Sequence, residues 1–117
     1  MSRALTPCVV VLSICCLLAA ATFISDSARA ADCPTTYENF GKAFMEQYCT
    51  RCHASDKSGF GRKGAPAGYD FDLVEKIAED KGDILEWVID KKSMPPRGDK
   101  PGADQRNKLK AWLDCEY

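Results

Sequence analysis

The chain has 117 residues, with 16 Lys and Arg against 17 Asp and Glu and a net charge of −1. That length holds one domain at most, and the near-neutral balance argues against a nucleic-acid or polyanion binder.

The first thirty residues differ from the rest. Arg3 gives a short positive start, and Cys8 to Ile24 is apolar apart from Ser13 and Thr22. Ser25-Asp26-Ser27 breaks the run, and Ala28-Arg29-Ala30 has the A-x-A form of a cleavage site. This is the pattern of a secretory signal peptide over 1–30, leaving a domain over 31–117. An uncleaved anchor is the rival reading, because the apolar run approaches the ~18 residues of a membrane-span candidate. Cleavage after Ala30 removes Cys8, Cys15 and Cys16 together with Arg3, Asp26 and Arg29. What remains has 87 residues, 14 basic and 16 acidic, for a net charge of −2. A domain of that size is small for an apolar core of its own.

Thr35-Thr36-Tyr37-Glu38 reads as a capping box, with Thr35 as N-cap and Glu38 returning the bond. Tyr37, Phe40, Phe44 and Tyr48 then recur at helical spacing, so a helix is expected over 36–48. It delivers the chain into Cys49-Thr50-Arg51-Cys52-His53. A Cys-x-x-Cys-His run is the attachment signature of a c-type haem. Two thiols at that spacing reach the two vinyl groups of one haem, and the following His binds iron from the same face. His53 is the one histidine of the chain. A thioredoxin-like dithiol would need a βαβ context, which the pattern lacks. A structural zinc site would draw four ligands from Cys33, Cys49, Cys52, His53 and Cys115.

From Asp56 to Gly68 there is no periodicity, and Gly59, Gly61, Gly64, Pro66 and Gly68 crowd the stretch. A loop this long is uncommon in a compact domain unless it wraps something. Asp72 is the expected cap of a short helix carrying Leu73, Val74 and Ile77, broken at Gly82. Asp83 is the expected cap of the next, whose Ile84, Leu85, Val88 and Ile89 form an apolar face with Trp87 on its flank. Ser93-Met94-Pro95-Pro96 ends that helix, since proline lacks the amide hydrogen and restricts its predecessor. Asp104 is the expected cap of a last helix, with Leu109, Trp112 and Leu113 on one face. No strand alternation appears, so the fold class is all-α, about four short helices and long loops around one covalently bound haem.

With these residues in place, the chain resembles the class I cytochromes c, and within them the small exported bacterial monohaem proteins with a Met-Pro-Pro loop. The likeness spans the attachment motif, the glycine loop, the middle helices, the Met-Pro motif and the closing aromatic helix. It implies a one-electron carrier that is no enzyme, a monomer, periplasmic or secreted, exchanging electrons with protein donors and acceptors and with no membrane contact once the signal is cut. The resemblance implies His53 and Met94 as iron ligands. Met45 is the other methionine of the domain, but it lies one helical turn before Cys49, on the segment holding the proximal side. A proline carbonyl in the loop, matched here by Pro66, is implied as acceptor for the second ring nitrogen of His53. The resemblance also implies that the first and last helices pack across each other, which makes Cys33 and Cys115 a disulfide candidate in keeping with export, with two unpaired or partner-linked thiols as the alternative. Asp32 and Ala30 make Cys33 a poor lipidation site. Lys91, Lys92, Arg97 and Lys100 bracket Met94, either as a basic ring that steers an acidic partner or as a solvated face. Two other readings stay open: a haem enzyme or small-gas binder with an open distal position, and a fixed electron-entry subunit of a larger oxidoreductase.

Overall fold

The computed structural model describes residues 32–117, and every described element is helical. The expected signal peptide at 1–30, with Cys8, Cys15 and Cys16, lies outside the described residues. Helix α1 opens with a π-helical turn, Tyr37–Gly41, and continues as an α-helix, Lys42–Tyr48. A 3₁₀ turn, Gly59–Arg62, interrupts the long loop. Helix α2 is Val74–Glu79, and α3 runs from Lys81–Ile84 into a π-helical stretch, Leu85–Asp90. Helix α4, Ala103–Glu116, closes the chain.

The helix starts differ from expectation by a residue or more, and at α2 and α3 the expected cap is engaged elsewhere. Thr36, not Thr35, caps α1: its backbone is extended, its Oγ1 accepts from Asn39 N at 3.3 Å, and Asn39 Oδ1 accepts from Thr36 N at 2.7 Å. Asn39 completes the box, and Glu38 stays exposed in the first turn. Leu73 precedes α2, while Asp72 accepts from Ser55 N at 2.8 Å and Ser55 Oγ at 2.5 Å. The break between α2 and α3 falls at Asp80, and Gly82 lies inside α3. Asp83 accepts instead from the Tyr69 hydroxyl at 2.9 Å. Gly102 occupies the N-cap of α4, with Asp104 in the first turn, where a carboxylate suits the helix dipole.

The core lies where α1 and α3 meet α4. Phe44, Met45, Ile77, Ile84, Val88, Leu109, Trp112 and Leu113 are buried there. Burying each large apolar side chain is worth about 1.5–3 kcal/mol against leaving it in water. Gly41 sets the approach of the terminal helices, because a Cβ there would lie 2.4 Å from a ring carbon of Trp112. Glu116, near the chain's end, accepts from Tyr37 N at 2.8 Å and from Trp112 Nε1, so one carboxylate satisfies the opening turn of α1 and the indole together. Cys33 and Cys115 meet just outside this crossing, with Sγ atoms 2.09 Å and Cα atoms 5.8 Å apart, within the reach a disulfide needs.

Candidate haem site

Helix α1 ends at Tyr48, and Cys49 N still donates to Met45 O at 2.9 Å. The chain then turns tightly: Cys52 N and His53 N both donate to Cys49 O, at 3.1 and 2.9 Å. This turn brings Cys49, Cys52 and His53 onto the wall of one cavity of about 770 Å³. Its remaining wall is Tyr48, Arg51, the segment Lys63-Gly64-Ala65-Pro66, Phe71, and the segment Met94-Pro95-Pro96-Arg97-Gly98. That volume falls within the ~300–1,000 Å³ of cofactor clefts. The glycine loop, expected to wrap something, supplies part of this wall.

The donor set suits a haem. Two thiols stand two residues apart beside an imidazole, a thioether lines the same space, and Arg51, Lys63 and Arg97 add cations to a wall otherwise largely apolar. Burial, with the neighbouring Cys52 second, pushes the Cys49 thiol up to about 12. Burial likewise pushes His53 below its ordinary value, and so toward the neutral form a metal requires, with the Tyr69 carbonyl offsetting this only in part. The zinc alternative loses its ligands. Cys33 and Cys115 meet each other, and the described residues hold no cluster of three or more His, Cys, Asp or Glu that could bind a metal ion.

One residue expected to bond at the site, Pro66, bonds elsewhere. His53 Nδ1 faces the Tyr69 carbonyl at 3.2 Å, not that of Pro66. The Pro66 carbonyl accepts from Arg62 Nη2 at 2.7 Å, while Pro66 itself lines the cavity. The physical reason is the path of the loop: Phe71 N donates to His53 O at 2.9 Å, which draws residues 69–71 alongside the histidine. Phe71 then stacks on the imidazole with centroids 4.9 Å apart and planes 25° apart. With Nδ1 so engaged, Nε2 is the nitrogen left for iron. Met45 is 1% exposed, packed in the helical core and absent from the cavity wall, whereas Met94 is half-buried on it.

Sequence reasoning missed Tyr69, Phe71, Arg62, Arg51 and Lys63. A signal for Tyr69 and Phe71 was available in the pair of aromatics just after the glycine loop. Arg51 Nη2 donates to Arg97 O at 3.1 Å and ties the attachment turn to the Met94 segment. Gly98 makes room for it, since a Cβ there would meet Arg51 Nη2 at 2.5 Å. Of the basic residues around Met94, Lys91 is engaged: its Nζ lies 2.5 Å from Glu86 and 3.8 Å from the Trp87 ring centroid. Lys92 and Lys100 are exposed.

An all-helical domain whose attachment turn, glycine loop and methionine segment wall one cavity is built as a c-type cytochrome. Residues 39–113 match the family model described as cytochrome c oxidase, cbb3-type, subunit III, and the chain belongs to that family. It is a c-type cytochrome, it carries covalently bound haem c with its iron, and it transfers electrons with redox partners. No curated protein and no solved structure matches the chain.

Proposed function

We propose that this chain is an exported monohaem carrier that moves one electron at a time between separate proteins, with iron held by His53 and Met94. The observation that carries this reading is the shared wall: Cys49, Cys52, His53 and Met94 line one cavity, and Met45 does not. Cys49 and Cys52 take the haem as thioethers, and Arg51, Lys63 and Arg97 offer cations to its carboxylates. Bound here, haem supplies a one-electron iron couple whose potential His/Met ligation raises. The chain's own part is to orient His53 through Tyr69 and Phe71, and to exclude water with Pro66, Pro95 and Pro96. With the chain's single imidazole committed to iron, we read a carrier rather than an enzyme. The segment 1–30 supports export with cleavage after Ala30, and the meeting of Cys33 and Cys115 supports a disulfide formed in a periplasmic or secreted protein.

Optical spectra of the purified oxidised and reduced protein test the ligation. The oxidised form should show the weak far-red charge-transfer band of an iron–methionine bond. Met94→Ala should abolish the band and open the reduced iron to carbon monoxide, while Met45→Ala should keep it. A wild type that binds carbon monoxide freely would favour the small-gas binder or haem enzyme instead. Steering by basic residues acts on association and fades with salt. Because Lys91 is held by Glu86, Lys92 and Lys100 carry more of that role. Reversing both to Glu should slow exchange with an acidic partner at low salt only.

A second reading is a fixed electron-entry subunit of a larger oxidoreductase, favoured by membership of a family described as an oxidase subunit. Retention of the chain in an oxidase complex through purification from the native membrane would support it over a free monomeric shuttle.

A further inference from the structure

Arg62 is the one charged side chain among the buried residues described, at 6% exposure. Its guanidinium is fully engaged. Nε donates to Ala65 O at 3.3 Å; Nη1 donates to Ala54 O at 3.0 Å, Asp70 Oδ1 at 2.7 Å and, at a longer 3.4 Å, Lys57 O; Nη2 donates to Pro66 O at 2.7 Å and Tyr69 O at 3.0 Å. Most of these bonds simply brace the glycine loop. The bond to Tyr69 O is different, because that same oxygen is the one facing His53 Nδ1 at 3.2 Å.

A carbonyl oxygen has two lone pairs and accepts two donors, but not with independent strength. A charged donor binds roughly twice as strongly as a neutral one. Here the guanidinium is the closer of the two, so it takes the larger share of the oxygen's electron density and leaves the imidazole a weaker acceptor. The hydrogen bond at the second nitrogen of a metal-bound His sets the basicity of the ring. A weaker bond leaves the ring less imidazolate-like, a poorer donor to the oxidised metal, and so favours the reduced state. Asp70 acts on the other side of the guanidinium, at 2.7 Å, drawing its charge away from the carbonyls.

We propose that Arg62 is a positioning residue that weakens the His53 hydrogen bond by competing for the Tyr69 carbonyl, with Asp70 setting how hard it competes, and that this pair tunes the haem potential upward. The inference deepens the carrier reading and rests on His53 being an iron ligand.

The test uses the holoprotein and two variants, Arg62→Met and Asp70→Asn. The first readout is the His53 Nδ1–H proton resonance in the reduced, diamagnetic protein; the second is the reduction potential. Removing the guanidinium in Arg62→Met should strengthen the imidazole bond, moving the resonance downfield and lowering the potential. Asp70→Asn frees the guanidinium to lean on the carbonyls, and should move the resonance upfield and raise the potential. Opposite signs are required. A role confined to bracing would loosen the loop in both variants and shift the resonance the same way, which overturns the proposal. A direct effect of charge on iron would move the potential in both variants without moving the resonance, which overturns it too. Should Arg62→Met fail to accumulate as holoprotein, the sign of the resonance shift in Asp70→Asn decides alone. The wild-type spectrum separates this from failure of the carrier reading: if no ring-current-shifted imidazole of a haem ligand is assigned to His53, both fall together.

Discussion

The crossing of α1 and α4 and the cavity wall are two solutions to the same size problem. At the crossing, protein fills protein. Gly41 lets the Trp112 indole seat directly on α1, Leu109 and Leu113 are fully buried, and Glu116 answers the orphan donors of Tyr37 and Trp112. Along the wall, Tyr48, Cys49, His53, Phe71 and Met94 border about 770 Å³ that no side chain fills. The wall is held at its back instead, by the Arg62 bonds to the loop and the Arg51 bond to Arg97 O. The contrast teaches that a chain this short closes one half of its interior by packing and leaves the other half to its cofactor.

Blocking attachment is the largest blow to this contrast. Cys49→Ala with Cys52→Ala should yield protein from which acidified organic solvent extracts all haem. Hydrogen exchange should then show protection lost across 54–72 but kept at the amides of α4 and the middle of α1. Equal loss everywhere would show that the two halves are one cooperative unit, and the contrast would fail.

Removing the tie between chain ends comes next. Cys33 and Cys115 are 82 residues apart, so a bridge there restricts the unfolded chain by about 4 kcal/mol in the chain-entropy model. Cys33→Ser with Cys115→Ser should lower stability by a comparable amount in denaturant titrations, with the haem spectrum unchanged. A spectral change would mean that the crossing and the wall are mechanically linked. Gly41→Val follows closely. Its side chain would drive into the rigid Trp112 ring, an overpacking that costs about 3 kcal/mol. The loss should appear in both reduced and oxidised protein, since the crossing does not border the cavity.

How much of this was legible in the sequence follows the same divide. That Cys49, Cys52, His53 and the Met94-Pro95 segment line one cavity was legible, because haem attachment demands a Cys-x-x-Cys-His run and prolines end the helix that precedes them. The helical core was readable from the spacing of Phe40, Phe44, Leu109 and Trp112. The acceptor of His53 was not, because any residue carries a carbonyl and only the loop's path selects Tyr69. Arg62 left a faint signal, a lone arginine inside a glycine-rich loop with Asp70 eight residues on. The caps slipped because several Asp and Thr residues compete for each helix start. Asp72 and Asp83 found better partners in Ser55 and Tyr69 than in a helix terminus.

A smaller test acts on the lip of the wall. Lys92 follows the last residues of α3 with φ of 53°, in the left-handed region that suits glycine. Ser93 N and Met94 N both donate to Trp87 O, at 3.0 and 3.2 Å, so the backbone is locked in this turn before it reaches Met94. Lys92→Gly should stabilise the fold by up to about 1 kcal/mol through relief of that strain, less the entropy glycine gains when unfolded. The far-red band should persist. A loss of the band would mean that the stiffness of Lys92 holds Met94 in place.

The smallest expected effect lies beside the crossing, where α3 meets α4, and it depends on pH. Asp114 sits in the last turn of α4, where the helix dipole disfavours a carboxylate. Two ammonium groups oppose that penalty: Lys110 Nζ, which donates to Asp114 Oδ2, and Lys81 Nζ of α3, 3.6 Å from Oδ1. The Lys110 hydrogen bond is the largest cause and holds the Asp114 carboxyl below its ordinary value, against a smaller opposing push from burial. A carboxyl lowered by folding stabilises the fold above its unfolded value, near 4, and that contribution fades as pH falls through the lowered folded value. The pair is solvent-exposed, so screening leaves it worth a few tenths of a kcal/mol at most. Asp114→Asn should therefore be slightly less stable than wild type at pH 7, with the gap closing as pH falls below the ordinary carboxylate range and also in high salt. If the variant is instead more stable at pH 7, the dipole penalty outweighs both lysines, and Asp114 is a cost the crossing carries rather than a tie between α3 and α4.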